Sequence, residues 1–544
     1  MQFRIETTYQ ENSFIHSYLN GDKQILSFYD YGLGSIDCVS RYEELKNRAF
    51  PREELVEALM NFNRKYHPSE RAFHQIERLR DKNSVTVVGG QQAGLLTGPL
   101  YTVNKIITIL VESKKLEEKL DAPVVPLFWI AGEDHDIDEV NHTYFYEKTD
   151  VRKVRIPERN DIKQPMSERN VNLEKAKYEL KEAFLCLEET SFTRELYDTL
   201  MNELSGKLTY TEWCARVLHR LFKDTDLVLM DAADPAIREI ERPFFTSMVR
   251  NNAAIQRAFL KQAEEMKVSA YGEPIETDEN NAHLFYHEGR QRFLLERTEE
   301  GFKEKHGERI WSEDDFLYQV EDGKIQLSNN VVTRPLMQEF LLPVHSFIAG
   351  PGELKYWGVL KKVFHSFDRK MPVVFPRYHL TYLSRSTEKN LKKYKMDVKT
   401  VTMDGLTDFQ SNFLARQKKV DERKVFEETE QELKELAEKI RGRLSPIGKN
   451  ASAISNQFES KINNELKDYE RKINQLMLSQ NNTHLTRFNQ IEAEVRPHNK
   501  WQERHLNIFP FLNRYGPDLV DRTVSGLMEK KESICSASHI YVYL

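Results

Sequence analysis

Cysteine is scarce in this chain of 544 residues. Cys38, Cys186, Cys214 and Cys535 lie far apart with no C-x-x-C pair. This excludes a disulfide framework and a thiolate zinc site, and points to a reducing compartment such as the cytoplasm. Long apolar runs are also missing: the most apolar stretch, Ala122 to Gly132, is about half the ~20 residues a membrane helix needs. The opening MQFRIETTYQENSF carries early charges and no apolar core, unlike a secretory leader. Nor is there a surplus of positive charge. The chain has 79 Lys and Arg against 85 Asp and Glu, a net −6, so there is no global electrostatic argument for nucleic acid. What is present, 40% hydrophobic and 30% charged residues, can bury a core. At roughly 150 residues per domain the length predicts three or four units.

Five short apolar runs close on Gly, Asp or Pro: Ser84 to Val88, Pro123 to Ile130, Leu227 to Met230, Val344 to Ile348 and Pro372 to Phe375. Apolarity without alternation predicts strands covered on both faces, and helical spacing follows at least three of them, as in Leu100, Val103, Ile107 and Leu110. The expected fold class is therefore α/β, a Rossmann-like parallel sheet with insertions in its crossovers. The predicted organisation is core over 1–147, a helical insertion over 148–225, a core strand within 226–234 and a second insertion over 235–330. That insertion reads as hairpins around Gly289 and Gly323. Core resumes over 331–386. From 387 to 497 two apolar heptad series, Phe426 to Ile440 and Ile454 to Leu476, flank the turn LSPIGKN and predict an antiparallel coiled-coil hairpin. The tail, 498–544, is expected to return to the core and ends in the strand-like HIYVYL.

Ligands of a parallel sheet bind at the carboxyl ends of its strands. There the loop GGQQAGLLTGPLYTVNK offers Gln92, Thr97, Gly98, Tyr101 and Asn104 as binding groups, without Walker or dinucleotide spacing. GEDHDIDEVNH crowds Glu133, Asp134, His135 and Asp136 after the most apolar strand. These suit acid–base work or an amine, with Mg²⁺ or Mn²⁺ as a weaker reading, and no residue is assigned to a metal. AGPGELKYW supplies Gly350, Gly352, Glu353 and Tyr356, and FPRYHL supplies Arg377 as an anion contact. No G-x-S-x-G elbow exists, so no nucleophile is apparent.

GGQQAGLLTGPLYTVNK, FWIAGEDHDIDEVNH, NVVTRPLMQEFLLP, FIAGPGELKYW, MPVVFPR and ERHLNIFPFLNRYG together resemble, in order and spacing, the BshC-type cysteine ligases over essentially the full length. The resemblance implies the last step of bacillithiol biosynthesis, an amide between L-cysteine and glucosaminyl-malate. It also implies a nucleotidyl-transferase sheet like that of class I synthetases, with connecting-peptide insertions and a coiled coil that makes a homodimer. An adenine nucleotide, ATP or ADP, is implied as well; Mg²⁺ is a candidate only through the acidic cluster, and zinc is not expected. A second nucleotide site near the coiled-coil base would fall to Trp501, Arg504, Asn507 and Tyr515. One departure stands out: the first turn reads LLTGPLYT, without the H-x-G-H imidazoles of synthetases. Two other readings fit the same residues, a binding or scaffold protein that has lost its chemistry and a metal-dependent hydrolase. Nucleic acid and membrane are not expected partners.

Overall fold

The computed structural model describes residues 1–7, 13–66, 69–160, 162–276, 278–417 and 420–544. All five apolar runs are strands of one parallel sheet: β1 (Val85–Gln91), β2 (Val124–Ile130), β3 (Val228–Asp231), β4 (Val344–Ala349) and β5 (Val373–Pro376), in the order β5-β4-β1-β2-β3. Every residue of β2 is buried, which explains its unbroken apolarity. The order matters for function. From β1 the chain moves one way through β2 and β3, then crosses back to lay β4 on the other side of β1. The carboxyl ends of β1 and β4 thus flank a topological switch point, where such sheets bind ligands. Helix α1 (Tyr101–Leu120) follows β1, buries Val103, Ile106, Ile107 and Leu110, and begins just past Pro99.

The insertions depart from their expected form in two places. The stretch 148–225 is not wholly helical, since Asp150–Arg155 pairs with His142–Glu147 before the helices Leu173–Leu185, Thr193–Glu203 and Tyr210–Leu221. In 235–330, helices α2 (Pro235–Arg250) and Asn252–Val268 lead into a five-stranded antiparallel sheet. Its strands run in the order Ile310–Ser312, Gly301–Glu304, Gln291–Arg297, Asn281–Glu288, Gln326–Asn329. The hairpin at Gly289 forms, with Glu288 opposite Gln291. The one expected at Gly323 does not. Glu313–Glu321 is a helix capped by Ser312, and Gly323 ends it at φ 72°. The sequence SEDDFLYQVEDG carries the cap, three first-turn acids and the i, i+4 pair Phe316 and Val320, and these outweigh a short alternation.

The tail strand His539–Tyr543 sits between Gln2–Glu6 and His379–Leu383 in a separate three-stranded sheet. Residues 1–147, 151–388 and 500–544 form one compact unit, and 148–150 with 389–499 form the other. In the second unit α4 (Glu422–Leu444) and α5 (Lys449–Gln480) fold back on each other across the turn Ser445–Ile447. Phe426 meets Tyr469 edge-on at 5.6 Å, and Arg441 pairs with Glu459. The hairpin covers only part of its seam: Leu436, Phe458, Tyr469 and Leu476 stay 51%, 50%, 58% and 52% exposed.

Candidate active site at the sheet's switch point

Three stretches distant in the chain line one cavity of about 450 Å³: Gly90 to Gln92 at the end of β1, Ala131 with Glu133 to His135 after β2, and Glu353 with Tyr356 on the short helix α3 (Pro351–Trp357) after β4. They are tied together directly. The Gln92 amide donates to Asp134 Oδ2 (2.6 Å) and Glu139 Oε2 (2.5 Å), joining the first loop to the second. Lys105, 1% exposed, joins the first to the third by donating to Gly90 O (2.7 Å), Gln91 Oε1 (3.2 Å) and Glu353 Oε2 (2.6 Å). Burial lowers the Lys105 ammonium pKa while Glu353 opposes the shift. The same Glu353 oxygen accepts from Gly350 N–H at 2.6 Å.

Glu133 is buried, and its Oε2 takes Arg238 of α2 at 2.6 Å. On its other side Arg238 holds Glu241 at 2.9 Å, so one guanidinium serves two buried carboxyls. Burial, with Glu133 adding repulsion, pushes Glu241 up to about 8. A carboxyl raised this far stabilises the fold below its unfolded pKa and loses that contribution as pH rises towards 8. Subtracting Glu241→Gln stability from that of the parent should therefore give a difference that falls by up to ~1.4 kcal/mol per pH unit between about pH 5 and 8. Urea unfolding at four pH values checks this, and a flat difference would refute it.

His135 meets Phe285 edge-on at 6.1 Å, and its Nδ1 is sheltered without a partner. Burial, then Arg292, lowers its pKa, so the ring is neutral at pH 7 and able to accept a proton. The GEDHD cluster divides here. Asp134 Oδ1 is held by its own turn, accepting from His135 N–H at 2.7 Å. Asp136 caps the helix Ile137–Val140 and lies outside the cavity lining. Asp234 likewise caps α2, and Asp231 bonds Ser167 at 2.6 Å. A Cβ at Gly132 would fall inside Ser167 Oγ and Asp231 Oδ1. Gly132→Ala should therefore displace the loop carrying Glu133 and His135, visible as lost ligand binding with far-UV circular dichroism intact.

Other residues read as site residues are placed elsewhere. Arg377, expected as an anion contact, is 3% exposed and paired through both terminal nitrogens with Glu503 at 2.6 and 2.8 Å. Asn104 donates to the same Glu503 at 2.8 Å. Thr97 and Gly98 belong to a turn in which Leu96 and Thr97 have φ of 50° and 72°, a strained pair for non-glycine residues. Asn507 secures that turn from the tail, donating to Leu96 O (3.0 Å) and Gly98 O (2.7 Å), so its amide is structural rather than a nucleotide contact. Trp501 stands edge-on to His379 at 5.0 Å, Arg504 is exposed, and Tyr515 closes the helix Phe509–Tyr515. Tyr101 and Gly352 do not line the cavity either.

In the glycine-rich loop close approach of the chain demands glycine. A Cβ on Gly90 would meet Trp129 O at 2.9 Å and one on Gly94 would meet Gly98 Cα at 2.9 Å, so these glycines serve chain packing. Among the described residues no three His, Cys, Asp or Glu side chains gather as a metal site. No helix of the described residues is long and apolar enough to cross a membrane.

The sequence reading missed the other residues that line this cavity. Phe285, Arg292 and Asn329 come from the inserted antiparallel sheet, and Arg334 lies just before β4. Arg334 sits inside the NVVTRPLMQEFLLP segment, which was its one available signal.

The family model described as bacillithiol biosynthesis BshC, N-terminal Rossmann-like domain, matches residues 1–378, and that of the BshC C-terminal coiled-coil domain matches 380–533. The chain belongs to the BshC family. Curated BshC relatives agree along its whole length. A protein of Bacillus cereus (strain AH187) is 34% identical over 537 residues, 98% of this chain and 99% of the relative. One of Geobacillus sp. (strain WCH70) is 36% identical over 508 residues, 93% and 94% of the two chains. Both are named "Putative cysteine ligase BshC". BshC membership and the parallel sheet with its coiled-coil hairpin agree with the resemblance seen in the six segments.

Proposed function

We propose that this BshC protein is a cytoplasmic ligase that joins L-cysteine to glucosaminyl-malate, the last step of bacillithiol biosynthesis. The observation that carries this reading is the convergence of Gln92, Glu133, His135 and Glu353 on one cavity at the switch point of a chain similar to cysteine ligases. A free carboxylate and an ammonium do not condense in water, so the cysteine carboxylate must first carry a leaving group. ATP with Mg²⁺ is the co-substrate class that supplies it. The glucosamine nitrogen then attacks the carbonyl carbon, the C–N bond forms, the bond to the leaving oxygen breaks, and the nitrogen loses a proton. Neutral His135, which lines the cavity, takes that proton in this reading. Glu133, fixed by Arg238, offers an acceptor that orients the amine. Lys105 holds Glu353 against the first loop and keeps the cavity's two sides in register.

The test is purified protein with cysteine, glucosaminyl-malate and each nucleotide in turn, following both thiol product and nucleotide fate. Product with ATP alone is expected, and none with any nucleotide would overturn the reading. The half-exposed seam of α4 and α5 supports a homodimer through the coiled coil. Leu436→Glu with Leu476→Glu should then halve the mass by light scattering, and an unchanged mass would refute that assignment.

A further inference from the structure

Every carboxylate lining the cavity has a donor within the protein. Glu133 has Arg238, Asp134 has Gln92 and the His135 N–H, and Glu353 has Lys105 and the Gly350 N–H. The two lining arginines are different, because their hydrogen bonds go to neutral acceptors. Arg292 donates to the backbone carbonyls of Glu133 (2.5 Å) and Asn329 (2.8 Å), lies 3.9 Å over the Phe285 ring, and keeps its buried Nε unpartnered. Arg334 donates to the Gln338 side chain and the Tyr356 hydroxyl, both at 3.2 Å. Asn329, 3% exposed, leaves both Nδ2 and Oδ1 without a partner. Buried polar atoms are rarely left unpaired, so Asn329 and the Arg292 Nε are open to a polar partner, and neither guanidinium has a hydrogen-bonded carboxylate, although Glu133 and Asp134 lie near Arg292.

We propose that Arg292, Asn329 and Arg334 form a carboxylate-recognition subsite, built by the inserted sheet and the segment before β4, that selects the substrate carrying the dicarboxylate. That this carboxylate is the malate end of glucosaminyl-malate rests on the ligase reading. The amine would then lie beside the subsite, towards Glu133 and His135, which Arg292 and Phe285 adjoin. The inserted sheet is thus a specificity wall added to a generic switch-point crevice.

The probe is L-malate itself, titrated by calorimetry into the full chain, with inorganic phosphate and ATP as competing arms. Arg334→Gln removes the charge while keeping a polar end. Asn329→Leu replaces an orphaned amide with a side chain of similar size and should keep or raise the melting temperature of the free chain. Both variants should weaken malate binding at least tenfold. Arg334→Gln should also raise KM for glucosaminyl-malate at least tenfold, with kcat within threefold, and reduce preference over an uncharged methyl glucosaminide. Unchanged malate affinity in both variants would overturn the subsite, as would a lowered melting temperature for Asn329→Leu or malate displaced by millimolar phosphate at equal affinity. If the parent binds malate and the variants do not, yet no thiol product forms with any nucleotide, the subsite stands and the ligase reading falls.

Discussion

Replacing His135 with alanine should reduce amide formation by about 100-fold or more, the usual range for losing a positioned base, without changing stability. The imidazole has an unpartnered Nδ1 and an edge contact with Phe285, so its removal leaves no buried charge behind. The flanking carboxylates do not allow this clean a test. Glu133→Ala would leave Arg238 with Glu241 alone, and Glu353→Ala would strand Lys105, itself 1% exposed. Each would confound chemistry with the cost of breaking a buried ion pair. Glutamine at either position keeps a hydrogen-bonding end and is the better variant. Because burial and then Arg292 lower the His135 pKa, the acid limb of the rate profile should lie below the ordinary imidazole value of about 6.5. A His135→Ala enzyme within fivefold of the parent would remove the imidazole from the proposed chemistry.

Glu503→Gln should destabilise the first unit by roughly 3–5 kcal/mol, the cost of breaking one side of a buried ion pair. Glu503 is 1% exposed and accepts from both Arg377 terminal nitrogens, from His379 Nδ1 at 2.5 Å and from Asn104 at 2.8 Å. Burial alone would raise its pKa, yet Arg377 and His379 hold it well below the ordinary value. The carboxylate therefore contributes fully above its unfolded pKa, and the contribution fades as pH falls below about 4.3. Urea unfolding at pH 7 measures the effect. A loss under 1 kcal/mol would show that the hub is not holding α1, the β5 exit and the tail together.

How far the sequence could be read depended on how local each signal was. The five apolar runs needed only their neighbours in sequence, and all five are strands. The heptads of α4 and α5 were equally local. Gly323 shows the limit, since a three-residue alternation cannot be told from a helix whose cap lies at Ser312. The polar loops after β1, β2 and β4 could be picked out because strand ends are where chemistry collects, and they do share a cavity. Which of their residues face it could not be read. Asp136 and Asp134 are two residues apart, yet one caps a helix and the other lines the cavity. Arg377 looked like a free anion contact because its partner lies 126 residues away. Arg292 and Asn329 were invisible for the same reason, their position depending on how an inserted sheet docks.

That separation also sets an order of events on the ribosome. The β5 exit, with Arg377, is synthesised well before Glu503, and the whole α4–α5 hairpin is made in between. Until the later segment emerges, the nascent core lacks the Glu503 carboxylate that Arg377 takes up and holds a strained Leu96–Thr97 turn that Asn507 has yet to secure. Translation products that stop within the hairpin should therefore be poor in native core and prone to capture by chaperones or proteases.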